Sequence, residues 1–223
     1  MKKLLAIGDS FTQGSELKDF NMTTPSAVSW PYLLGNQLGY DVVNRGVVGS
    51  GNIKMVRTLV EENINKYDLV IIAWSGFDRI ELADEYSVWG THVGANKSNY
   101  RITEPSVKFR GTIIDYFNRY HNDEYLYRQQ YLVQIILAQN YLKYHKKNYI
   151  MLDAFLNHTF SGRADPKNKD LIDQIDTSHF LGWPNESMLE WTAEVPYGPG
   201  KHFLEEGHQI VAEKIFKHLD ITV

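Results

Sequence analysis

The 223-residue chain contains no cysteine. That excludes disulfides, thiolate catalysis and cysteine-held metals. It leaves the redox compartment open, because a cysteine-free chain tolerates either. An excess of positive charge is also missing: 23 Lys and Arg stand against 27 Asp and Glu, a formal net charge of −4. The densest basic cluster, residues 143–147, reads as a solvated helix end, where lysines suit the negative pole of the helix dipole. With no basic stripe to neutralise phosphates, no nucleic-acid partner is expected. No apolar run approaches the roughly 20 residues of a membrane span. Met1-Lys2-Lys3-Leu4-Leu5-Ala6-Ile7 opens like a secretory leader, but its apolar run stops at Gly8-Asp9, too soon for a leader's apolar region and cleavage site. The location stays open, with a soluble, cytoplasmic or virion-associated setting the expectation. No repeat, low-complexity tract or linker divides the chain, and nothing in it fixes an oligomeric state.

What is present suits one domain over residues 1–223. Hydrophobic residues make up 43% of the chain, enough for a sizeable core. Aromatics reach 13%, with 14 Tyr and 5 Trp; extra packing area is the plainer account, and a surface for sugars the other. Leu4 to Ile7 is a short apolar run that reads as a buried parallel strand leading into a functional loop. Ser29-Trp30-Pro31 offers a helix start with a capping hydroxyl and an early proline, and Gly39 a stop. Val42-Val43 is a second strand, Ile53, Val56, Val60 and Ile64 a second helix, and residues 69–74 the strongest strand. Strands alternating with helices across short links predict an α/β fold with an open parallel sheet. Residues 77–122 break this rhythm and read as an irregular insertion. Residues 124–147 read as a long helix, apolar at Leu126, Val133, Leu137, Tyr141 and Tyr144, with Leu132, Ile135 and Ile136 widening that face. A fourth strand at 149–152 follows, then a second irregular insertion at 157–201 with a short helix near 187–192, then a terminal helix at 205–219.

Three places carry the candidate chemistry. Gly8-Asp9-Ser10-Phe11-Thr12-Gln13-Gly14 follows the first strand directly. In an open α/β sheet, ligands bind at the carboxyl ends of strands, so Ser10 can project into a crevice. A serine needs a base within hydrogen-bond reach to become a nucleophile; without one, the tripeptide is a capped turn. Asn44-Arg45-Gly46-Val47-Val48-Gly49-Ser50-Gly51-Asn52 follows the second strand. A glycine-rich loop leading into a helix exposes N–H groups that suit an oxyanion, with Gly49 the candidate donor. An ordinary turn or a phosphate cradle would read alike, but no Gly-Lys-Ser/Thr follows, so it is not a Walker loop. Near the end, His202 precedes Phe203-Leu204-Glu205-Glu206-Gly207-His208. His208 shares a helical face with Leu204, Val211 and Ile215 and reads as a packed core histidine, whereas His202 is free to face the site as a base.

These three blocks, in this order, resemble those of the GDSL or SGNH hydrolases. Gly8-Asp9-Ser10 is similar to the family's nucleophile block, with Phe11 in place of the usual leucine; Asn44, Gly46 and Gly49 to its oxyanion block; and His202 ahead of Gly207-His208 and Ala212 to its histidine block. The resemblance implies a three-layer α/β/α flavodoxin-like fold and acyl transfer from a small acyl ester, with an acylated carbohydrate favoured as substrate. It implies Ser10 as nucleophile, His202 as base, the Ser10 and Gly49 amides as oxyanion donors, Asp9 and Asn44 in support behind them, and neither metal nor organic cofactor. The aromatic-rich insertions look most like phage-encoded or marine bacterial members. Two positions depart from the pattern. Phe77 stands where the family has an asparagine donor, leaving Ser75, Gly76 or Arg79 as substitutes. Pro199 stands where the family has the aspartate that orients the histidine, leaving a main-chain carbonyl, Glu194 or an insertion residue. Both departures also suit a degenerate, carbohydrate-binding or structural protein on the same fold. An O-acyltransferase and, further off, a flavodoxin-like nucleotide binder are the remaining alternatives. Asp153 reads as a loop cap, His121, Asp123 and Glu124 as an exposed helix start, and Arg79 with Glu81 as either pocket lining or a surface ion pair. Asp176, His179 and His158 share no metal-ligand spacing.

Overall fold

A computed structural model describes residues 1–83, 88–92, 124–155 and 168–222. In chain order its elements are β1 (Lys3–Gly8), α1 (Ser10–Gln13), α2 (Trp30–Leu38), β2 (Asp41–Gly46), α3 (Asn52–Glu61), β3 (Leu69–Trp74), β4 (Arg79–Ala83), β5 (Val88–His92), α4 (Glu124–Tyr144), β6 (Asn148–Asp153), α5 (Lys169–Ile172), β7 (Phe180–Leu181), α6 (Met188–Trp191) and α7 (Glu205–Thr222). β1, β2, β3, β6 and β7 form one parallel sheet in the order β2-β1-β3-β6-β7. That is the flavodoxin-like α/β order, and it places the loop after β1 where the chain's direction of travel across the sheet reverses.

The three layers follow from the two-residue period of the strands. Leu5 and Ile7 of β1 and Val70, Ile72 and Trp74 of β3 face a core shared with Met55 and Leu59 of α3 and with Tyr131, Leu132, Ile135, Ala138 and Leu142 of α4. The intervening Leu4, Ala6, Leu69, Ile71 and Ala73 face the other core, with Trp30 and Leu34 of α2 and Val211, Ala212 and Ile215 of α7. β3 is buried on both faces, which is why it reads as an unbroken apolar run. Among the described residues no helix is long and apolar enough to cross a membrane.

Several sequence expectations are revised. Of the face expected on α4, Leu132 and Ile135 are buried, in a stripe with Tyr131, Ala138 and Leu142, whereas Leu126, Val133, Leu137 and Tyr144 are exposed. Both stripes are apolar at helical spacing, and only docking onto α3 and the sheet selects between them. Three of the exposed residues instead line a cleft of about 800 Å³ with Ile53, Phe77 and Arg79. Within residues 77–122, β4 and β5 form an antiparallel hairpin pairing Arg79 with His92 and Ala83 with Val88. Its signal was the alternation of Arg79-Ile80-Glu81-Leu82; residues 84–87 and 93–122 lie outside the described part. Within 157–201, Phe180 and Leu181 add a fifth strand, too short to leave a period of its own, against Met151 and Leu152. Ser29 precedes α2 without capping it; its hydroxyl donates to the Ser26 carbonyl instead. The short helix near 187–192 is α6, capped by the Ser187 hydroxyl.

Candidate active site

β1 ends at Gly8, and Asp9 caps α1 by accepting from the Phe11 amide at 3.0 Å. That cap starts a one-turn helix at Ser10, so the serine stands at the carboxyl end of the central strands with only 5% of its surface exposed. Phe11 points down into the core against Phe155 and Phe203, and its ring lies 4.8 Å from that of His202. The apolar partner following the serine thus forms a floor under the imidazole.

The loop after β2 is stitched to this turn. The Asn44 amide donates to the Thr12 carbonyl at 2.7 Å while its oxygen accepts from the Gly46 amide at 2.8 Å. Val47 N–H donates to the Gly8 carbonyl at 3.1 Å, and Val48 N–H to Gln13 Oε1 at 2.8 Å. A side chain at Gly46 would lie 2.4 Å from the Gln13 amide nitrogen, so only glycine lets α1 approach β2 this closely. Gly49 has φ +73°, in a turn closed by Ser50 N–H on the Val47 carbonyl, a backbone state that favours glycine.

His202 lies just before α7, against this loop pair. Its Nε2 is 2.8 Å from Ser10 Oγ, and its Nδ1 is 2.9 Å from Glu16 Oε2. The carboxylate at the imidazole is therefore Glu16, six residues after the serine, and not Glu194, which is exposed, nor a main-chain carbonyl. Burial pushes the Glu16 pKa up, but hydrogen bonds from the Gly200 amide, the His202 ring and the His202 amide outweigh it, and the net shift is downward. Hydroxyl, imidazole and carboxylate in this order allow the ring to take a proton from the hydroxyl while its other nitrogen stays anchored. Glu16 carries no sequence signal of its own, being a single acid in a Gly-Ser-Glu-Leu stretch. The paired glycines around Pro199 were the nearest hint, since they free backbone amides to point at an anion.

The end of β3 carries a second network. Ser75 donates its hydroxyl to Asp9 Oδ2 at 2.8 Å and its amide to Asn52 Oδ1 at 2.8 Å. Asn52 in turn donates to the Ser75 and Gly76 carbonyls. Arg79 Nη1 reaches Asp9 Oδ2 and the Ser50 carbonyl, both at 3.3 Å, and its guanidinium sits over the Phe155 ring. Asp9 is fully buried, and these donors balance its charge. Of the three residues proposed to substitute for the asparagine, Ser75 has both its hydrogens committed within this network, and Arg79 braces Asp9. Phe77 packs against the core beside α4. Glu81 pairs with Arg57 in a two-pronged contact at 3.1 Å and not with Arg79.

His208 is 1% exposed, accepts from the Trp30 amide at 3.1 Å through Nδ1, and packs edge-on against Phe203. Burial pushes its pKa down to about 3, with the charge of nearby His202 as a smaller contribution. Asp153 is buried and accepts from the Tyr131 hydroxyl. Asp176 and His179 lie 3.2 Å apart, far along the chain from the serine turn; His121, Asp123 and His158 lie outside the described residues. Among the described residues no three His, Asp or Glu are grouped to hold a metal.

Comparison with solved structures supports this architecture. The chain aligns with an acetyl-xylooligosaccharide esterase from Geobacillus stearothermophilus at 18% identity and TM-score 0.53, covering 97% of this chain and 93% of that one. It aligns with an acetyl xylan esterase from the rumen bacterium Butyrivibrio proteoclasticus at 14% identity and TM-score 0.52, covering 99% and 64%. A lipolytic protein of the G-D-S-L family from Desulfitobacterium hafniense gives 16% identity and TM-score 0.50, covering 98% and 99%. The chain thus has the SGNH hydrolase fold, an esterase fold in these neighbours. No curated protein sequence matches it significantly. By sequence it belongs to the family of unknown function DUF6071, whose match spans residues 15–222 and so takes in Glu16 and His202 but not Ser10.

Proposed function

We propose that the chain is a serine ester hydrolase that acts by acyl transfer through Ser10 and His202. The observation that carries this reading is the 2.8 Å contact between His202 Nε2 and Ser10 Oγ, at the carboxyl end of β1 where the fold places ligands. Ser10 Oγ attacks an ester carbonyl as His202 Nε2 takes the hydroxyl proton, and the carbonyl π pair moves onto oxygen. The carbonyl reforms as the alcohol leaves with the proton from His202. Water then repeats the sequence on the acyl-serine and releases the acid. The oxyanion falls to the amides of Ser10 and Gly49. Among the described residues neither N–H meets an acceptor, which leaves both available. The Gly76 amide is likewise without an acceptor there, and of the three proposed replacements for the missing asparagine it is the one we assign.

The missing aspartate was one ground for a degenerate, binding-only protein. A carboxylate at His202 Nδ1 removes that ground and favours the hydrolase. The substrate class proposed is a small acyl ester on a carbohydrate, and the acetyl-ester names of two fold neighbours make an acetylated xylooligosaccharide the first compound to try. The test is hydrolysis of p-nitrophenyl acetate together with labelling by a fluorophosphonate. Ser10→Ala should abolish labelling and lower turnover at least about a thousandfold. Turnover within tenfold of wild type would refute the assignment.

A further inference from the structure

We infer that Glu16 is the positioning residue for His202, replacing from the N-terminal side the aspartate whose place Pro199 occupies, and that the Gly198-Pro199-Gly200 turn is shaped to receive its carboxylate. The inference rests on the Ser10–His202 reading above. Three N–H groups converge on this one side chain. Oε1 accepts from the Gly200 amide at 2.7 Å, and Oε2 from the His202 amide at 3.1 Å and the His202 ring at 2.9 Å. The segment that brings Glu16 there is itself held in an uncommon state, with φ +68° at a residue that has a side chain. Such a conformation persists only where its surroundings fix it.

The receiving turn has no room for anything else. A Cβ on Gly198 would lie 2.7 Å from Glu16 Cδ, and one on Gly200 would lie 3.0 Å from Glu16 Oε2. The turn is closed by the Gly198 amide on the His202 carbonyl at 2.8 Å and by the Lys201 amide on the Gly198 carbonyl at 3.0 Å. Its free amides therefore point inward at the carboxylate, as an anion-binding nest does. Glu16 thus joins the strand-end turn that carries Ser10 to the loop that carries His202.

The consequence for the reaction is directional. A carboxylate accepts only, so its contact with Nδ1 requires the proton to sit on Nδ1. Nε2 then presents its lone pair to Ser10 Oγ, and the serine hydroxyl donates. Glutamine in place of Glu16 has the same size but must bring an NH2 group to one of three donors. Of these donors only the ring can become an acceptor, so the NH2 group turns toward it, which reverses the tautomer, leaves Nε2 unable to take the serine proton and strips the His202 amide of its acceptor.

The experiment uses the full chain, p-nitrophenyl acetate, and ¹⁵N-histidine NMR. Glu16→Gln should lower kcat by roughly 10²- to 10⁴-fold, as loss of an orienting carboxylate does elsewhere, with KM within about threefold. The wild-type His202 ring at neutral pH should show the Nδ1–H tautomer, and this should be lost in Glu16→Gln. Wild-type turnover with Glu16→Gln undiminished overturns the role of Glu16 and leaves Ser10–His202 standing. A wild-type chain that neither hydrolyses the ester nor reacts with the fluorophosphonate overturns the Ser10–His202 reading instead. In both cases the protonation of wild-type His202 Nδ1 decides the contact itself, whether or not the variant folds: a ring with no proton on Nδ1 refutes it.

Discussion

His208 makes a measurable prediction about stability against pH. It is neutral in the fold, because its Nδ1 accepts the Trp30 amide and its burial resists charge. Its folded pKa of about 3 lies below its ordinary 6.5, so the unfolded chain binds the proton first as pH falls. The contribution is intact above 6.5 and is lost progressively between 6.5 and 3. From pH 7 to pH 5 the unfolded state gains about 2 kcal/mol from this one group, since each pH unit between the two values is worth about 1.4 kcal/mol. A His208→Gln variant keeps an acceptor for the Trp30 amide but cannot titrate. Its unfolding free energy should therefore fall by about 2 kcal/mol less than that of wild type over the same interval. Urea unfolding at pH 7 and pH 5 on both proteins reads the difference, and other histidines, such as half-buried His218, cancel in the comparison. Parallel behaviour of the two proteins between these pH values would show that His208 is not held neutral by the fold.

Two further predictions concern the site. His202→Ala should remove ester hydrolysis to the level of Ser10→Ala while shifting the melting temperature by only a few degrees, because His202 lies outside the helix and makes its ring contacts at the surface of the core; retained turnover would mean another base. Gly198→Ala should push the Glu16 carboxylate off His202 and lower kcat in the same direction as Glu16→Gln. The double variant should be no worse than the worse single one, because both break one contact; additive losses would separate the glycine from the carboxylate.

Much of the fold was legible because parallel strands buried on two faces write themselves as apolar runs. β1, β3 and β6 all appear that way, and helices between them force right-handed crossovers and a parallel sheet. What local pattern left undecided was which of two apolar stripes on α4 turns inward. Leu126, Val133 and Leu137 have the spacing of a core face and are exposed. Tyr131 and Ile135 have the same spacing and are buried, because the docking of α3 against the sheet lies on their side. β7 escaped for a related reason: two residues carry no period, and only the edge of β6 makes them a strand.

The candidate site divides along the same line. The sequence alone determined the parts that are contiguous: the Gly8-Asp9-Ser10 turn at a strand end, the glycine loop after the second strand, and a histidine just ahead of the last helix. Each is a local motif whose residues are neighbours in the chain, so backbone chemistry within a few residues specifies it. Tertiary structure alone decided the pairing of Glu16 with His202, 186 positions apart. It also decided that Ser75 and Arg79 brace Asp9. A carboxylate is recognised by whichever donors the fold brings to it, and nothing in the covalent order of Gly14-Ser15-Glu16 records that the amides of Gly200 and His202 converge there.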